Sequence, residues 1–119
     1  MTIAESDLTS ISFHDAGLMG IIHAGSIVTL SLEDVLIDGV QMEAEVTIDG
    51  ADTILRNGLP VPDIRMEKKD GELLTLRKEN GQVLIAVQWD DFIAKTHEVV
   101  AYTLGGPEVV LRVTPSARR

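Results

Sequence analysis

The sequence predicts an all-β protein, and three observations carry the prediction. Apolar residues alternate with a period of two, two-residue turn signals recur about every ten residues, and no long stretch has helical spacing. The alternation is plainest where Val40, Met42, Ala44, Val46 and Ile48 interleave with Gln41, Glu43, Glu45 and Thr47, the pattern of a half-buried strand. The turn signals are Ala24-Gly25, Asp38-Gly39, Asn57-Gly58, Asp70-Gly71, Asn80-Gly81 and Gly105-Gly106.

Register follows from the turns, because a slip of one residue would put the apolar set on the wrong face. Met19–His23 turns through Ala24-Gly25 into Ile27–Glu33, setting Ile21 against Val28 and Met19 against Leu30. A three-residue turn ending at Gly39 sets Leu32 against Ala44 and Leu30 against Val46. Leu59-Pro60-Val61-Pro62 is too proline-rich for a central strand and reads as a crossover. A three-residue loop, Lys69-Asp70-Gly71, sets Met66 against Leu74 and Ile64 against Leu76. A two-residue Asn80-Gly81 loop sets Leu76 against Ile85 and Leu74 against Val87. Pairing Trp89 with Glu98 brings Val87 to Val100 and Ile85 to Tyr102. A two-residue Gly105-Gly106 loop sets Tyr102 against Val109 and Val100 against Leu111. Residues 64–114 then form a five-stranded meander. With the N-terminal group it makes a single domain over 1–119, a β-sandwich or small barrel of about eight or nine antiparallel strands.

Composition narrows the function. At 119 residues, 45% of them hydrophobic, the chain is long enough for a self-sufficient core. It has no cysteine, hence no disulfide framework and no thiolate chemistry. Met1–Ser12 is polar and acidic, without the basic and apolar regions of a signal peptide. No uncharged apolar run approaches the length of about 18 residues that spans a bilayer. The expected location is the cytoplasm.

Charge is unevenly distributed. Residues 1–55 hold ten carboxylates and no lysine or arginine, a formal −10; the whole chain is −9, so residues 56–119 carry +1. Such a chain is repelled by phosphate backbones and anionic membranes, so neither nucleic acid nor membrane is an expected partner. Four aromatics, Phe13, Trp89, Phe92 and Tyr102, are too few for base-stacking platforms. The register sets Glu33 opposite Glu43 with Glu45 diagonal to them, and like charges so placed cost up to about 1 kcal/mol. Three arrangements answer that cost: Arg56, Arg65 or Lys68 completing a charge ladder, a basic protein partner, or a calcium or magnesium ion.

Two further motifs bear on chemistry. In Phe13-His14-Asp15-Ala16, alternation puts His14 on the face opposite Phe13, and Asp15 is a natural turn former. With His97 these are the candidate catalytic residues of a small hydrolase, an imidazole being able to act as base beside a carboxylate. His14 and His23 stand nine residues apart, without the short ligand pair of a structural zinc site, and no metal or cofactor is expected. Trp89-Asp90-Asp91-Phe92 offers two carboxylates beside two aromatics, either a ligand pocket or a strand end where the tryptophan caps the core. Ser26 and Ser31 lack a nucleophile elbow, and no phosphate loop, dinucleotide fingerprint or zincin helix is present.

The Phe13-His14-Asp15-Ala16 motif, an aliphatic strand after it and the late Trp89-Asp90-Asp91-Phe92 together resemble small bacterial β-rich families of unassigned function. Some of these neighbour polymorphic-toxin immunity proteins. The resemblance covers the two motifs and the strand rhythm, transfers no catalytic residue, and implies a non-enzymatic binding protein. The leading expectation is therefore an interaction module presenting Glu33, Glu43 and Glu45 to a basic protein. The alternatives are a small hydrolase or metal-binding protein built on His14 and Asp15, and a homo-oligomer joined through the edge strand Val109–Val113.

Overall fold

The computed structural model describes residues 11–116. Ten antiparallel strands form one sheet that does not close on itself: β1 (Ile11–Ser12), β2 (Ala16–Ala24), β3 (Ile27–Ile37), β4 (Val40–Asp49), β5 (Thr53–Arg56), β6 (Leu59–Val61), β7 (Asp70–Glu79), β8 (Gln82–Asp91), β9 (Thr96–Gly105) and β10 (Val110–Ser116). Their order is β10-β4-β3-β2-β7-β8-β9-β5-β6, with β1 beside the end of β3. Only three residue pairs, Ala16–Leu73, Gly17–Glu72 and Leu18–Gly71, join the two halves of that order. The sheet turns back on itself there, and the buried side chains of both halves make one core, from Val28, Leu30 and Leu32 to Val83, Ile85 and Val87. The shortest extent, 22 Å, fits two layers about 10 Å apart with their outer side chains. There is no helix among the described residues, and so none long and apolar enough to cross a membrane.

Local turn chemistry is realised at three hairpins. Asp38-Gly39, Asn57-Gly58 and Asn80-Gly81 each close a two-residue loop with both residues at positive φ, the geometry that matches strand twist. The pairings Leu76–Ile85, Val87–Val100, Ile85–Tyr102, Leu32–Ala44 and Leu30–Val46 are those the sequence implies.

Other expectations are corrected. The Gly39 loop has two residues instead of three, and the odd residue is absorbed by a bulge at Glu33-Asp34, where Asp34 has φ 60°. Two further bulges fall at Met19 and Leu74, and the second sets Val87 against Leu73. The β2–β3 hairpin closes through Gly25-Ser26 instead of Ala24-Gly25, with Ala24 opposite Ile27, so Ile21 faces Leu30 and not Val28. Each bulge sits where inward residues are spaced by three (Leu18 to Ile21, Leu32 to Val35, Leu73 to Leu76) and lies on one of the adjacent strands β2, β3 and β7. Together they bend the sheet at its narrow join.

Asp70-Gly71 is no turn but the start of β7. Gly71 lies beneath the Trp89 ring, where a Cβ would come within 2.9 Å of the indole. Residues 64–68 form no strand. Ile64 is buried, but its backbone N–H donates to His23 Nδ1 at 3.3 Å, not to a ladder. Leu59–Val61 is an edge strand, consistent with Pro60, and the crossover follows it. Gly105-Gly106 does not close a β9–β10 hairpin. The free side of β9 is taken by β5, through pairs such as Ile54–Leu104, and β10 crosses to pair with β4. The two glycines permit a close crossing of chains: Asp52 N–H donates to Gly105 O at 2.9 Å, and a Cβ on Gly106 would collide with Gly50 O.

Candidate functional site

The bulged corner makes a groove of about 500 Å³. Its carboxylates are Asp15, Glu33, Asp34, Asp70, Glu72 and Asp90, and among the described residues Lys69 is its one lining cation. Bulges fall at three of the lining residues, Met19, Glu33 and Asp34, and two more, Gly17 and Gly71, have no side chain. Gly17 is needed because the Glu33 side chain lies over it, 2.8 Å from where a Cβ would stand. Glu33 therefore turns towards β2 rather than pairing squarely with Glu43.

The Phe13–Ala16 turn closes one end of the groove. Phe13 is buried while His14 and Asp15 side chains are 67% and 65% exposed, with Nε2 and Oδ1 3.5 Å apart. Asp15 N–H donates to Leu73 O at 2.9 Å, and the His14 ring approaches Leu74 O at 3.4 Å through Nδ1. The turn is thus stitched to the bulge on β7. Asp15 has φ 67°, a conformation aspartate tolerates better than most residues. Hydrogen bonding to Asp15, then desolvation and the charges of Asp15 and Asp90, raise the Glu72 carboxyl above its ordinary range. Negative potential accumulates here, suiting the groove to cationic side chains.

The other candidates scatter. Glu45 stands on the outer face of β4 between Ser31 and Thr114, and Glu43 faces the bulge. Arg56 pairs with Glu67, and Arg65 Nε lies 4.0 Å from Asp63 Oδ1. His97 lies across from Asp90 on β9 and is exposed. Among the described residues, no group of three or more His, Asp or Glu is arranged to hold a metal ion. Trp89-Asp90-Asp91-Phe92 divides by alternation. Trp89 is 1% exposed in the core, Asp90 and Phe92 line the groove, and Asp91 Oδ1 accepts the N–H groups of Ile93 (3.1 Å) and Ala94 (3.0 Å) to fix the loop.

A second polar arrangement has almost no signature in the sequence. Arg56 donates to Glu67 from Nε at 2.9 Å and from Nη2 at 2.7 Å. The Tyr102 hydroxyl donates to the same carboxylate and accepts from Trp89 Nε1 at 3.1 Å. The Arg56 hydrogen bonds hold Glu67 below the usual carboxylate range, and burial, then the Glu67 hydrogen bond, raises Tyr102. With every member partnered, this network ties the crossover to β5 and β9. Its only sequence signal is an arginine on a short strand, Arg56, with a glutamate in a connection.

No family model, curated protein or solved structure matches this chain.

Proposed function

We propose that the protein is a non-catalytic interaction module that receives a basic protein partner in the acidic groove, as an immunity-type inhibitor would. One observation carries the reading: six carboxylates with a single lysine around a concave surface at the sheet corner. Such a surface concentrates potential, steers a cationic partner and accelerates encounter. The groove draws carboxylates from both halves of the chain, so its charge exceeds what the acidic N-terminal half alone provides.

The test is an affinity capture at low ionic strength, comparing wild type with an Asp70→Asn, Glu72→Gln, Asp90→Asn variant and with Glu43→Gln, Glu45→Gln. A basic protein retained by wild type, released by salt and lost by the groove variant alone is the expected result. Equal retention by all three forms would exclude the groove.

A specific observation also favours the homo-oligomer reading. β10 stands at one end of the strand order and is seven residues long, with its one proline, Pro115, next to its last residue, whereas the opposite edge, β6, has three residues with Pro60 at their centre. On this reading a second copy adds to β10, and Arg112→Pro, which removes a backbone donor there, shifts light-scattering mass from dimer to monomer. A monomeric wild type at working concentration would end it.

A further inference from the structure

Phe92 is 71% exposed and forms part of the groove wall; Met19, 46% exposed, is another lining residue. Neither is needed to fill the core. Exposed apolar side chains beside a charged rim mark contact surfaces. The loop bearing Phe92 is held by the Asp91 hydrogen bonds, so the ring is presented without a large ordering cost.

Resting on the interaction reading, we propose that the groove takes a specific kind of segment: an apolar side chain flanked by lysine or arginine. The apolar group packs on Phe92 and Met19 while the cations reach the carboxylates of the lining: Asp70 and Glu72 on β7, Asp90 on β8, Glu33 and Asp34 on β3, and Asp15 in the turn before β2. Charge complementarity selects this occupant. A neutral apolar segment would leave the carboxylates desolvated and unpaired, and a polycation without an apolar residue would leave the ring in water. A membrane is a poorer occupant, since carboxylates surround the ring.

The experiment is calorimetric titration with two defined peptides, hexalysine and an acetylated six-residue peptide in which lysines and arginines flank a central leucine-tryptophan pair. The mixed peptide is expected to bind about tenfold more tightly than hexalysine, and Phe92→Ser is expected to remove that advantage. Ile93→Ser is the control. Ile93 is 97% exposed but is not among the groove residues, so its loss is expected to leave affinity unchanged. Hexalysine binding should be the same in wild type and Phe92→Ser.

If both peptides bind equally and Phe92→Ser changes neither, the apolar element is overturned while the acidic-groove reading stands. If neither binds at low salt, both fall. Equal losses in Phe92→Ser and Ile93→Ser would overturn the placement in the groove. Binding of wild type, but not Phe92→Ser, to phosphatidylcholine vesicles would assign the ring to a membrane and overturn the peptide proposal.

Discussion

Trp89→Ala is expected to lower stability by about 4 kcal/mol and the melting temperature by roughly 15 °C. Trp89 is among the largest fully buried side chains, and its ring covers Gly71 at the sheet join. Truncation opens a cavity at the join, where only three residue pairs hold β2 to β7, and the cost grows with the volume left unfilled. It also takes the indole N–H from Tyr102. Trp89→Phe separates the two effects. It retains most of the packing and loses the hydrogen bond, for an expected cost of about 1.5 kcal/mol. Chemical denaturation of the three proteins checks both values, and equal stabilities for the Ala and Phe variants would show that packing at the join contributes less than the hydrogen bond to Tyr102.

Arg56→Ala is expected to cost about 2 kcal/mol at neutral pH, because it strips two charge-assisted hydrogen bonds from a part-buried carboxylate. The loss should depend on pH in a defined direction. Arg56 lowers the folded-state pKa of Glu67. The resulting stability is present above the unfolded glutamate value of about 4.3 and fades as pH falls through the lower folded value. Wild type and Arg56→Ala should therefore differ most at neutral pH and converge as the pH falls below the folded-state value of Glu67. A difference independent of pH would mean that the aliphatic stem of Arg56, and not its pairing with Glu67, carries the effect. Glu67→Gln keeps an acceptor for Tyr102 while removing the charge, and should flatten the same acid limb.

The strands are legible in the sequence because a period of two is a local signal, and three hairpins are located by Asp-Gly and Asn-Gly, which favour the positive φ that tight turns need. The bulges are written there too. Inward residues spaced by three instead of two at Leu18–Ile21, Leu32–Val35 and Leu73–Leu76 mark them, but strict alternation hides this, and for that reason Asp34 joins Glu33 opposite Glu43. The groove is half visible. Asp15, Glu33, Asp90 and Phe92 stand out singly, in three separate motifs, whereas Asp34, Asp70 and Glu72 carry no signal of a shared site.

What the sequence by itself determined is the all-β class, the place of three hairpin turns (Asp38-Gly39, Asn57-Gly58 and Asn80-Gly81) and much of the register from β7 to β9. These depend on residues within one hairpin of each other, where backbone preference and side-chain alternation act directly. Tertiary structure alone decided that β10 joins β4, that β2 meets β7, and that Glu67 reaches Arg56 and Tyr102. The physical reason is that an apolar strand face is equally satisfied by any apolar partner. Which strand supplies it is fixed by the closure of the whole core, and the groove exists only where that closure bends the sheet.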